Sequence, residues 1–140
     1  MHQVKEVDFE CECQTRLWFS EAVQESVSEH RRKGDPNGAF WKKIKRYSQN
    51  GFGNYEGSKQ PVKPEWDGVF RVGTVDSLFR IYGFYEDGTN KKEFIAIDAF
   101  LKGGQKPNAA ERQRIDRVVE VKKNRQWVKV KDERYPRIAK

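Results

Sequence analysis

The sequence predicts an α+β fold: a single antiparallel sheet with helices packed on one face, in the order β-α-α-β-β-β-α, within one domain over 1–140. Three observations carry this. Residues 4–13 alternate apolar and mostly acidic side chains, the pattern of a half-buried strand. Two stretches with helical spacing follow, parted by the turn cluster Gly34-Asp35-Pro36-Asn37-Gly38. Three short apolar runs, 69–75, 78–85 and 94–101, then empty into Lys102-Gly103-Gly104-Gln105-Lys106-Pro107 and a basic helical pattern.

In the first strand Val7, Phe9, Cys11 and Cys13 face one way and Glu6, Asp8, Glu10 and Glu12 the other. Thr15 or Ser20 caps the helix that follows, whose apolar positions are Leu17, Phe19, Ala22, Val23 and Val27. The second helix fits 39–48, with an apolar stripe of Phe40, Trp41, Ile44 and Tyr47 and a basic side of Lys42, Lys43, Lys45 and Arg46. Residues 50–67, rich in Gly, Pro and polar groups, read as a long functional or mobile loop. Glu86-Asp87-Gly88-Thr89 joins the second and third later strands as a hairpin turn. Asn108 caps the last helix and Glu111 completes a capping box, with Ile115, Val118, Val119 and Lys122 inward. In the tail, 126–140, the alternation Trp127-Val128-Lys129-Val130 predicts an extra strand or a segment lying over the sheet.

A chain of 140 residues buries roughly two-thirds of its extended surface, and nine Phe, five Tyr and four Trp supply a core, so a globular domain is expected. The net charge of +7 is unevenly placed. Residues 102–131 hold ten Lys/Arg against Glu111, Asp116 and Glu120, an excess equal to that of the whole chain. Such a patch favours phosphate backbones or an acidic protein partner. Cys11 and Cys13, two apart on one strand face, do not suit a disulfide and cannot by themselves complete a zinc site, so they read as buried structural thiols. There is no signal-peptide pattern and no apolar run near about 18 residues, which predicts a cytoplasmic protein with no membrane partner.

The histidines are His2 and His30, too few and too scattered for a two-histidine ribonuclease or a His-ligated metal centre. Neither a P-loop nor a nucleophile elbow is present, so no cofactor is expected and no metal site. Cations and aromatics remain. Arg80 and Tyr82 share a strand face, and antiparallel pairing brings Arg71 near Arg80. Lys102 and Lys106 flank the turn at the sheet edge, and Arg112 and Arg114 open the last helix. Preorganised Arg and Lys stabilise the negative charge of a pentacoordinate phosphate, and Arg grips two phosphate oxygens at once. Exposed aromatic rings stack on unpaired bases.

In order, Leu78-Phe-Arg80-Ile-Tyr82-Gly-Phe84-Tyr85, Asp87-Gly88, Phe94-Ile-Ala-Ile97, Ala99-Phe100-Leu-Lys102 and Gln105-Lys106-Pro107 with Glu111 resemble the RelE/HigB-type toxins, nearest to their phage-derived, HigB-like branch. The resemblance implies a small RelE-like α+β toxin of a type II toxin–antitoxin pair. It implies that the protein cuts messenger RNA on the ribosome and is neutralised by a cognate antitoxin, expected to be a helix-turn-helix protein. By position, Arg80 would meet transition-state phosphate charge. Lys102 and Lys106 would hold the backbone, one of them aiding proton transfer. Tyr82, Tyr135 and Arg137 would add RNA contacts to those of Arg71, Arg112 and Arg114. Where the family usually pairs lysines after the Phe, Lys102 is followed here by Gly103-Gly104. Two other readings stay open: a non-catalytic nucleic-acid-binding module, and a phage or mobile-element protein whose basic surface meets only an acidic protein.

Overall fold

A computed structural model describes the chain except residues 11, 36, 75–76, 103–108 and 136–140, and gives only the backbone of residue 135. Strand β1 (His2–Val7) and strand β2 (Arg16–Ser20) precede helices α1 (Glu21–Lys33) and α2 (Ala39–Asn50). A 3-10 turn (Phe52–Tyr55) leads to β3 (Val62–Pro64), β4 (Phe70–Val72), β5 (Phe79–Tyr85) and β6 (Glu93–Leu101). Helix α3 (Ala109–Lys123) and strand β7 (Trp127–Tyr135) close the fold. The strands form one sheet in the order β3-β4-β5-β6-β2-β1-β7.

The α+β class stands, but the sheet is mixed and not purely antiparallel. Strand β2 runs parallel to β6, and β1 parallel to β7. The helices also lie on both faces. Residues of α1 and α2, including Val23, Val27, Phe40 and Ile44, pack with Leu17, Phe19, Phe79 and Ile81. Residues Ile115, Val118 and Val119 of α3 pack with Trp18, Tyr82, Phe84 and Ile95 on the opposite face. The unbroken burial of β5 from Phe79 to Phe84 is the physical reason: a strand covered on both sides needs apolar groups on both.

The predicted first strand over 4–13 is corrected. Strand β1 ends at Val7, and Glu10 adopts a left-handed φ of 57° while its N–H donates to Asp8 Oδ1 at 2.9 Å. Leu17 and Phe19, read as helical, belong to β2, where Trp18 faces the other core. Ser20 starts α1: its Oγ accepts from Val23 N and donates to Ile97 O at 2.8 Å. The expected order β-α-α-β-β-β-α is corrected as well: the expected first strand is represented by β1, β2 and β3 are strands it did not include, and the alternating tail forms β7. The stretch 50–67 is thus not a plain loop, since it carries the 3-10 turn and the edge strand β3. Cys13 is half-buried against the α1/α2 core, and Cys11 lies outside the described residues.

Strands β5 and β6 approach closely at Gly83, where a Cβ would lie 2.1 Å from Ile95 O. The register shifts there: Tyr82 pairs with Asp98 but Gly83 with Ala96. The extra residue turns both Ile97 and Asp98 toward α3. Among the described residues no helix is long and apolar enough to cross a membrane.

Candidate functional site

The α3 side of β4 and β5 carries a polar row. Register pairs Lys63 with Arg71, Arg71 with Tyr82, and Tyr82 with Asp98, so these side chains share one face. Arg80 is on the same face, two residues before Tyr82. Over this row sits the first turn of α3, which contributes Glu111.

Glu111 is the hub. Its Oε2 accepts from the Tyr82 hydroxyl at 2.5 Å, and its Oε1 lies 3.4 Å from Lys102 Nζ. Tyr82, Lys102 and Glu111 are all buried. Burial works to raise the Glu111 carboxyl, but the Tyr82 hydroxyl, the Lys102 ammonium and Arg71 outweigh it and hold the group below the ordinary glutamate range. Burial and the same carboxylate push the Tyr82 phenol far above its ordinary value. Glu65, half-buried just beyond β3, shifts the opposite way. Burial raises it, against the pull of Lys63 and Arg71. Two carboxyls in one cluster are thus driven apart in proton affinity, a pattern that favours acid–base division of labour.

Arg80 has only 9% of its surface exposed. Its NH1 donates to Ser77 O, and Gly73 makes room for it, since a Cβ there would stand 3.1 Å from Arg80 Cδ. Burial and the nearby Arg71 both disfavour its charge, while Tyr82 and Glu111 favour it. Arg80 Nε and Thr74 Oγ1 are buried with no hydrogen-bond partner among the described residues. Such groups are rare in folded proteins.

The structure therefore gathers Arg71, Arg80, Tyr82 and Lys102 of the residues expected from sequence. Arg114 lies beside them: it bridges Asp98 at 3.0 Å and places its guanidinium 4.5 Å from the Phe100 ring centre. Arg112 is exposed, about 100° around α3 from Glu111, and does not join. Tyr135 belongs to β7, at the opposite edge of the sheet from β3, and does not join this row. Lys106 and Arg137 lie outside the described residues. Glu111, expected only as a capping residue, and Glu65, expected only in a loop, are what sequence reasoning missed. The available signal for Glu111 was an acid amid basic residues, three positions after a candidate cap.

Part of the basic excess is internally paired. Besides Lys102 and Arg114, Lys129 bridges Glu86 and Glu93 at 2.6 and 2.9 Å and lies over Trp18. A cleft of about 730 Å³ lies elsewhere, with a lining of mixed charge: Glu6, Asp8, Glu10 and Glu12 against Arg16, Lys92 and Arg134. Among the described residues no group of three or more His, Cys, Asp or Glu is placed to hold a metal ion. Comparison of the chain with models of known families, with curated proteins and with solved structures found no match.

Proposed function

We propose that the chain is an RNA-cleaving toxin of a type II toxin–antitoxin pair, acting in the cytoplasm on ribosome-bound messenger RNA. The observation that supports it most is Arg80, a buried guanidinium whose Nε has no hydrogen-bond partner among the described residues, set beside Arg71 and the Tyr82–Glu111–Lys102 hydrogen-bonded group. A phosphate oxygen meets the need of that donor. In this reading the RNA 2′-oxygen bonds to the adjacent phosphorus as the bond to the 5′-oxygen breaks, and the departing 5′-oxygen takes a proton from water to leave as a 5′-hydroxyl. Arg80 and Arg71 stabilise the charge that builds on the phosphate. Glu65, raised by burial, takes the 2′-hydroxyl proton. Glu111 holds Tyr82 and Lys102 in place. The resemblance over residues 78–111 supplies the ribosome, the messenger RNA and a helix-turn-helix antitoxin as partners.

Expression of the chain alone in bacteria should arrest growth and truncate messenger RNA, with Arg80→Lys restoring growth. Unchanged growth with the wild-type chain refutes the toxin reading. A second reading has its own support: Tyr82, Lys102 and Glu111 are closed under α3, which suits a non-catalytic nucleic-acid-binding module using the outer cations. That reading predicts steeply salt-dependent RNA binding with no cleavage product.

A further inference from the structure

Strand β2 pairs with β6 only as far as Ala96, whereas β6 runs on to Leu101. Beside this extension, between the last turns of α1 and the start of α3, opens a cleft of about 430 Å³. Ala99, Phe100 and Leu101 line it from β6, His30 and Lys33 from α1, and Arg114 from α3.

The lining suits a flat ring. Phe100 is half-buried and already carries the Arg114 guanidinium plane. His30 lies parallel to Phe79 with centroids 4.3 Å apart. Leu101 is 61% exposed, unusual for so large an apolar side chain at a strand end. The end of α1 is basic through Arg31, Arg32 and Lys33, which suits a phosphate chain, and Lys33 also bridges Glu29, another lining residue, at 3.0 Å. The cleft neighbours the cationic cluster through Phe100, the cross-strand partner of Arg80, which places their Cβ atoms about 5 Å apart.

We propose that this cleft seats an unpaired nucleobase of an RNA strand, from the nucleotide next to the phosphate held at Arg80. The base packs against the exposed Leu101 and stacks on the side of the Arg114 guanidinium that faces away from Phe100, with Lys33 toward the backbone. This rests on the RNA-directed reading above. A peptide added to β6 as another strand is the rival occupant. The backbone there is less open to it, because Ser20 Oγ donates to Ile97 O and Asp98 Oδ1 accepts from Ala99 N.

The test is photo-crosslinking of the purified full chain to single-stranded RNA carrying 5-iodouridine, mapped by mass spectrometry, together with RNA affinity of Leu101→Ser. Leu101 is exposed, so this variant should fold. The expected result is a crosslink within the peptide carrying Phe100 and Leu101 or at His30, and an affinity loss of about tenfold for Leu101→Ser with unchanged thermal unfolding. Crosslinks confined to β4 and β5, with wild-type affinity in Leu101→Ser, overturn the base site while leaving the RNA reading intact. Absence of RNA binding by the wild-type chain at low salt overturns both.

Discussion

Removing the Glu111 carboxylate should be among the most costly single changes to this chain, and the cost should largely belong to Lys102. The two side chains are 8% and 4% exposed and 3.4 Å apart, so Glu111→Ala leaves an ammonium buried without its carboxylate. Breaking such a pair costs about 3–5 kcal/mol. Loss of the acceptor for the Tyr82 hydroxyl is part of the same change, and Tyr82→Phe, which removes only that charge-assisted bond, should cost about 1.5–3 kcal/mol. If the ion pair dominates, Lys102→Met should offset part of the damage. The double variant should then be more stable than the sum of the singles by about 1–3 kcal/mol. Urea unfolding followed by tryptophan fluorescence measures the wild type and the four variants. Acid adds a second readout. Glu111 titrates below the ordinary 4.5 when folded, so its stabilisation is present above that pH and is lost as pH falls through the folded value. The wild-type chain should therefore lose more stability than Glu111→Ala as pH falls below 4.5. Additive single-variant costs, within about 0.5 kcal/mol, together with parallel acid profiles, would refute the coupling.

Other changes test the frame that carries the site. Gly83→Ala forces a Cβ to 2.1 Å from Ile95 O, so β5 and β6 must separate, and the variant should show greatly lowered thermal stability or no soluble folded protein. Ser20→Ala removes the cap of α1 and the bond to Ile97 O, and should cost about 1–2 kcal/mol in urea unfolding. His30 titrates below the ordinary 6.5 because it is buried between Phe40 and Phe79. Its unfolded form binds protons first, so stability should decline as pH drops below 6.5, and His30→Phe should flatten that part of the profile.

Much of the fold could be read from residue patterns, and the exceptions have physical causes. The turn at 34–38, the helix from Ala39 and the strands β5 and β6 follow from local signals strong enough to survive packing. Strand β2 was hidden because its residues are buried on both faces, so Leu17, Trp18 and Phe19 show no alternation to separate strand from helix. The parallel pairing of β2 with β6 joins residues more than seventy positions apart, which no local pattern encodes. In the site, the same-face argument for Arg80 and Tyr82, and the pairing that brings Arg71 beside them, rested on period two and held. Glu111 was read as a helix cap because its spacing from Asn108 fits that role. Its engagement with Tyr82 and Lys102 depends on α3 crossing the opposite sheet face, a tertiary fact. Glu65 carries no sequence signal beyond an acid near a proline.

The most direct test of the proposed function is cleavage itself. Purified chain added to translating ribosomes should cut messenger RNA, leaving a 2′,3′-cyclic phosphate and a 5′-hydroxyl, and Arg80→Lys should slow the cut by about 10²–10³-fold. Intact messenger RNA with the wild-type chain, or equal cutting by wild type and Arg80→Lys, would contradict the account.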